Sequence, residues 1–195
     1  SSSSVYGDSK TLPKQEFHKG NLLSNYALTK YTNEKYAEVF FRQYKFKSIG
    51  LRYFNVFGPN QYCDNAYASV ISSFCKAIKE DERPIIYGDG RQTRDFCYVE
   101  DVARGIVLAA EKYNKSDPIN LASGNETSIK EIAEVIKKKI GYKGKITWDE
   151  NKPSGPKRRV VDINRAKKEF GYQAKTSLEE GIDKTVDWYI GKNLN

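Results

Sequence analysis

Histidine is nearly missing from this chain: among 195 residues only His18 carries an imidazole. Multi-histidine metal chemistry is thereby excluded, and a catalytic triad built on histidine has a single, isolated candidate. Cysteine is also scarce, with Cys63, Cys75 and Cys97 far apart and no C-x-x-C spacing. Isolated thiols in odd number point to reduced side chains packed as small hydrophobes in a cytoplasmic protein, not to a disulfide framework or zinc site. No apolar run approaches the ~20 residues that span a bilayer, so no membrane partner is expected. The opening SSSSVYGD lacks the basic-then-apolar pattern of a secretion signal. Equally absent is a G-x-x-G-x-x-G stretch, the loop that cradles a dinucleotide pyrophosphate at a helix N-terminus. Gly88-Asp89-Gly90 runs into Arg91 instead.

What is present is an ordinary globular composition, 38% hydrophobic and 30% charged, enough for one sizeable core or two small ones. The net charge of +8 raises the question of nucleic acid. The lysines, however, gather on helical faces such as Lys137, Lys138 and Lys139, and no helix-turn-helix or RNA-binding signature accompanies them. No nucleic-acid partner is expected; the arginines suit a diphosphate ligand better.

Ser1 to Gly7 reads as the end of a buried strand and its following loop. A helix is expected from Tyr26 to Tyr44, and a strand over Ser48 to Phe54 that exits at Asn55-Val56-Phe57-Gly58-Pro59. Helices follow at Ala66 to Lys79 and Val99 to Tyr113, with short strands at Pro84 to Tyr87, Ile119 to Ala122 and Lys145 to Trp148. Ser128 to Glu131 and Ser177 to Glu180 read as capping boxes; the helix opened by the first closes at Gly141. A helix from Ile163 to Phe170 ends at Gly171. Alternating strands and helices predict an α/β fold with right-handed crossovers. His18 is expected as a polar loop residue, and Trp148 and Trp188 as packing residues.

The residues that carry chemistry are Tyr26 and Lys30 in Tyr26-Ala27-Leu28-Thr29-Lys30. At i and i+4 on a helix, phenol and ammonium share a face and reach the same point. A phenol with its ordinary pKa of ~10 is a poor base at neutral pH, and a neighbouring ammonium favours the phenolate. Alone, Y-x-x-x-K is as well explained by a surface pair. Its context adds weight, because Ser2 lies 24 residues before Tyr26. A serine hydroxyl there can donate to an oxygen undergoing oxidation and relay its proton.

Taken together, SSSSVYGD, SNYALTKYTNEKYAEVF, IGLRYFNVFGP, AYASVI and GDGRQTRDFCYVEDV resemble the extended short-chain dehydrogenase/reductases that act on nucleotide sugars, in particular the UDP-N-acetylglucosamine 4-epimerase group. The resemblance covers nearly the whole chain. It implies NAD as cofactor, Tyr26 as catalytic base and acid, and Lys30 as the residue that lowers its pKa and holds the nicotinamide ribose. Ser2 matches the family's hydroxyl position, with Ser3 second. Tyr53 and Phe54 are implied to border the nicotinamide, and Asn55 to meet the diphosphate region. Ser69 and Val70 fall at the uracil, and Arg94 at the diphosphate. For the second arginine, the loop GPKRRVVDINRA departs from the family pattern; Arg158 is the choice, with Lys157 and Arg159 as alternatives, and UDP and GDP both stay open.

The implied fold is the C-terminal part of a doubly wound, Rossmann-like parallel sheet plus a smaller α/β substrate-binding domain. Residues 1–59 would form the tail of the NAD-binding domain, and 60–195 mainly the nucleotide-sugar domain with segments returning to the sheet. The expected activity is epimerisation at C4 of a UDP-hexose or UDP-N-acetylhexosamine through a 4-keto intermediate. Ser3 and Ser4 stand where related dehydratases carry an Asp-Glu pair, and Asn60 where the GDP-fucose synthase type expects a histidine, which disfavours both. A non-catalytic nucleotide-sugar-binding or assembly module is the rival reading. Lacking the glycine-rich loop, the isolated chain is expected to bind NAD weakly and to be inactive. A homodimer through the Tyr26 helix is also implied, with Leu28, Tyr31, Phe40 and Tyr44 as interface or core residues.

Overall fold

A computed structural model of the chain describes residues 1–18, 20–62, 69–152 and 155–191. After a 3-10 turn at Ser3–Tyr6 come α1 (Asn25–Tyr44), β1 (Leu51–Tyr53), β2 (Val56–Phe57) and α2 (Val70–Lys79). Then follow β3 (Ile85–Tyr87), β4 (Thr93–Arg94), β5 (Cys97–Tyr98), α3 (Val99–Lys112), β6 (Ile119–Leu121) and β7 (Thr127–Ser128). The order closes with α4 (Ile129–Ile140), β8 (Thr147–Asp149), α5 (Asn164–Phe170) and α6 (Leu178–Tyr189). The helices start within a few residues of expectation; α2 begins at Val70 and not at Ala66, because Ser69 is extended and caps it.

Strand pairing joins residues distant in sequence. β1 pairs in parallel with β6, β2 with β5 and β3 with β8, while β4 and β7 run antiparallel. Ser2 extends the first pair through a parallel bridge to Tyr53, and Lys14 bridges to Val161. The opening serines are therefore a strand end, as expected, but the chain then winds into a 3-10 turn capped by the Ser2 hydroxyl, which accepts from Ser4 N at 3.2 Å. Four two-residue strands, β2, β4, β5 and β7, were not foreseen; two residues are too few to show a period.

Three apolar clusters hold these elements. The largest joins α2, α4 and α6 through Ile71, Phe74, Ile132, Ile136, Ile182 and Val186, with Trp148 and Trp188 packed against it as expected. A second centres on Leu51, Ile119, Leu121, Phe170 and Tyr172, and a third on Val5, Tyr6, Phe54, Ala122 and Val161. Cys75 and Cys97 are buried, as expected; Cys63 lies outside the described residues. The box at Ser128 and Glu131 forms in both directions, and Gly141 ends α4 in the left-handed conformation. At Ser177 only half the expected box appears: its hydroxyl accepts from Glu180 N at 3.1 Å.

Helix α1 departs from an amphipathic pattern. Across its 20 residues only Ala27 and Glu34 are buried, and Leu28, Tyr36, Phe40 and Tyr44 are exposed. Tyr31 instead packs on the third cluster. Glu34 is tolerated inside because Arg52 of β1 meets it with two hydrogen bonds, at 2.9 and 2.8 Å.

Close packing also fixes Gly105 in α3. A Cβ built there would sit 2.8 Å from Tyr172 Cε2 and 3.1 Å from Leu121 Cδ1. Alanine gains up to ~1 kcal/mol of helix propensity over glycine, whereas overpacking a rigid ring costs about 1–3 kcal/mol. Gly105→Ala is thus expected to lower stability by about 1–2 kcal/mol, read as a lower midpoint in urea unfolding; a stabilised variant would contradict this packing.

Candidate active site

Helix periodicity places Tyr26, Lys30 and Glu34 on one face of α1. The Lys30 ammonium lies 5.4 Å from the centre of the Tyr26 ring. One turn on, Glu34 accepts a hydrogen bond from the Ser1 hydroxyl at 2.5 Å, which ties this face to the serine turn. Tyr26 is 45% exposed, so a ligand can reach its phenol. The environment thus runs from a buried ion pair at Glu34 to an open phenol at Tyr26.

The serine turn is held from below. The Tyr6 hydroxyl donates to Asn120 Oδ1 at 2.6 Å, and the Asn120 amide donates to the carbonyls of Lys14 and Asp162, each at 3.1 Å. Arg52 lies over the Tyr6 ring with its guanidinium carbon 4.8 Å from the ring centre. Burial pushes the Tyr6 phenol up to about 12, against the nearby Arg52 charge. This phenol is structural. Ser3 is buried and Ser2 half-buried. The Ser4 hydroxyl is buried with no hydrogen-bond partner among the described residues. A partnerless hydroxyl beside Ser2 and Ser3 is a donor in search of an acceptor.

Of the residues expected at the nicotinamide, Tyr53 is half-buried at the end of β1. Phe54 is fully buried and packs in the third cluster with Tyr6 and Ala122. Lys30 and Tyr26 offer an ammonium and a phenol open to a polyhydroxyl partner, and so fit the ribose end of a nicotinamide cofactor. A cradle for its pyrophosphate is absent from the 195-residue sequence.

The substrate-side residues are arranged around two loops. Asn55, with a positive φ of 29°, donates through Nδ2 to the Asp95 carbonyl at 2.8 Å, which commits its amide nitrogen to the fold. Ser69 caps α2, accepting from Ser72 N at 3.2 Å, and Val70 opens that helix against the largest cluster. Arg94 donates to the carbonyls of Thr93 at 2.7 Å and Pro156 at 2.6 Å. Burial, and then the charge of Arg159, lowers the Arg94 guanidinium to about 10. Arg158 is held by Glu126, to which it donates at 2.8 and 2.6 Å. Those bonds hold the Glu126 carboxyl down at about 2, helped by the Thr93 hydroxyl. A cavity of about 510 Å³ opens beside Arg158, lined also by Gly88, Arg91, Gln92 and Lys157.

Asp95, next to Arg94, escaped the sequence reading. Its carboxylate accepts from Ser123 N and Ser123 Oγ at 2.8 Å and from Gly124 N at 2.7 Å. It thereby fixes the turn that leads to Glu126. Burial nonetheless pushes it up to about 6 against those hydrogen bonds. A carboxyl raised in the folded state contributes stability that is complete below its unfolded value and is lost as pH rises through about 6. Relative to Asp95→Asn, the parent is expected to lose about 2–3 kcal/mol of unfolding free energy between pH 4 and 7. Urea melts across that window check it; a constant difference between the two proteins would refute it.

The parallel strand pairs flanked by helices make an α/β fold of the Rossmann-like type. The sequence agrees: residues 1–122 match the model of the NAD dependent epimerase/dehydratase family, and the chain belongs to that family. It is similar to a Methanocaldococcus jannaschii protein provisionally named a UDP-glucose 4-epimerase, 38% identical over 193 residues, covering 99% of this chain and 62% of that one. A UDP-N-acetylglucosamine 4-epimerase from Methanobrevibacter ruminantium, solved with UDP-N-acetylmuramic acid, superposes with a TM-score of 0.92 at 35% identity, covering 98% of this chain and 62% of its own. A UDP-glucuronic acid 4-epimerase from Bacillus cereus, solved with UDP-glucuronic acid and NAD, gives 0.87 at 32% identity, with coverage of 98% and 60%. The chain thus spans about three-fifths of the length of these relatives.

Proposed function

We propose that this chain carries the catalytic residues and the nucleotide-sugar site of an enzyme that epimerises C4 of a UDP-sugar. The observation that carries this reading is the Lys30 ammonium 5.4 Å from the Tyr26 ring, on the helix face tied to the serine turn. The chemistry NAD supplies when bound is reversible acceptance of a hydride at the nicotinamide ring. Tyr26 takes the proton from the C4 hydroxyl as that carbon gives up its hydride. Lys30, with its ammonium 5.4 Å from the Tyr26 ring, holds ribose hydroxyls. A serine hydroxyl of the turn, Ser2 first, donates to the oxygen that becomes a carbonyl. Arg94 would keep the diphosphate while the 4-keto sugar turns over, and Tyr26 would return the proton to the C4 oxygen. No net oxidation results.

The substrate half of this proposal is separable from the cofactor half. Isothermal titration of the 195-residue chain is expected to show UDP binding that Arg94→Ala weakens roughly tenfold or more, as for loss of a charge-assisted hydrogen bond. NAD should bind weakly, because no G-x-x-G-x-x-G stretch occurs in the sequence. Tight NAD binding would overturn the second expectation, and indifference to UDP the first. The exposed Leu28, Phe40 and Tyr44 of α1 support a further proposal, a homodimer through this helix.

A further inference from the structure

The three consecutive lysines of α4 part company in the fold. Lys139 reaches Asp183 and Asp187 of α6, at 3.3 and 3.4 Å. Lys137 instead lines a cavity of about 830 Å³, a size that suits a small molecule. Lys130 joins it from the same helix, Lys143 and Lys145 from the chain between α4 and β8, and Arg91 from the chain between β3 and β4.

Five cations thus border one space. Among the described residues the four lysine ammoniums make no hydrogen bond or ion pair, and Arg91 pairs only with Asp89, at 3.8 Å. Glu134 and Glu150 also line the cavity, so five cations stand against three carboxylates and a net charge of +2 is left over. Like charges gathered in this way repel, and a multivalent anion relieves the repulsion.

Spacing and donor type define that anion. Lys130 and Lys137 stand seven positions apart on α4, about 10 Å along the helix axis. One phosphate or carboxylate cannot touch both, whereas a chain of phosphates can. Lysine meets phosphate as a point charge and asks no planar fork of its partner. The wall behind is firm: Trp148 packs against the largest apolar cluster, and a Cβ on Gly90 would fall 2.4 Å from its ring.

Asp89, Arg91 and Glu150 line the 510 Å³ cavity beside Arg158 as well. Lys130 N donates to the Gly90 carbonyl at 2.9 Å and Ile129 N to the Gln92 carbonyl at 3.0 Å. The start of α4 is thereby fastened to the chain that continues into Arg94. We infer that the larger cavity is a second binding site, one that takes an oligophosphate beside the space proposed for the nucleotide sugar. The lysines that define it take no part in the epimerase reading, so each can fail without the other.

Isothermal titration of the 195-residue chain with inorganic tripolyphosphate, in the presence of saturating UDP, tests this. One tripolyphosphate is expected to bind. The paired reversal Lys143→Glu/Lys145→Glu should weaken it roughly tenfold or more, while UDP binding stays within about twofold. Lys167→Glu/Lys168→Glu on α5 changes the net charge equally outside both cavities, and should shift tripolyphosphate affinity by less than about threefold. All four lysines are exposed, so neither reversal disturbs the core. ATP distinguishes the sources: an affinity above that of tripolyphosphate assigns the site to a nucleoside triphosphate, and one below it to a bare phosphate chain. Equal losses in the two paired variants would reduce the effect to the overall positive charge and overturn the inference. Absence of tripolyphosphate binding would overturn it as well.

Discussion

Tyr26→Phe is expected to lower turnover at C4 by about 10²- to 10⁴-fold, the range that one positioned acid–base group contributes. The comparison belongs in an enzyme that holds these residues together with a cofactor-phosphate loop. The substitution removes one oxygen from an exposed ring at the start of α1, so little packing is lost and substrate affinity should stay within a few-fold. A fall in turnover with binding intact separates a group that acts only in the transition state from one that merely holds the sugar. Lys30→Met should act in the same direction, because the ammonium beside the Tyr26 ring is gone. Near-normal turnover in Tyr26→Phe would remove the tyrosine from its assigned role.

Arg52→Met is expected to cost about 3–5 kcal/mol of stability, the usual consequence of stranding one member of a buried ion pair. Both side chains are only 6% exposed, and they meet at 2.8 Å. Burial alone would lower Arg52, yet the Glu34 hydrogen bonds hold it above its ordinary value. The loss extends beyond the pair, since Arg52 also donates to the Glu16 carbonyl at 2.9 Å and covers the Tyr6 ring. With a native stability of ordinary size, about 5–15 kcal/mol, such a change approaches unfolding. Adding Glu34→Leu should recover part of the loss, because the orphaned carboxylate disappears. Chemical denaturation of parent, single and double variants reads both effects. A single variant losing under about 1 kcal/mol would show that the pair is solvated.

These two residues sit at opposite ends of what the sequence discloses. Tyr26 and Lys30 are legible because a helix turns a spacing of four into a shared face, and the helix is announced by its length. The box at Ser128 is legible for the same reason, its partners lying three residues apart. Glu34 and Arg52 are not: an acid in a helix and an arginine in a strand each look like surface residues until the sheet brings them together. Asn120 reads as an interruption of an apolar strand, and only the carbonyls of Lys14 and Asp162 explain it. Asp95 and Glu126 escaped for a like reason, since their roles depend on partners 28 and 32 residues distant: Asp95 on the turn at Ser123 and Glu126 on Arg158.

The bond between the Tyr6 hydroxyl and Asn120 has a kinetic meaning. Its partners stand 114 positions apart in the chain, and the amide that receives it also grips the segments at 14 and 162. Closing loops of that size carries an entropic toll that no local turn or helix can offset. The serine turn therefore gains its seat only when remote parts of the polypeptide have already met, so assembly of the reactive corner is a late, collective event.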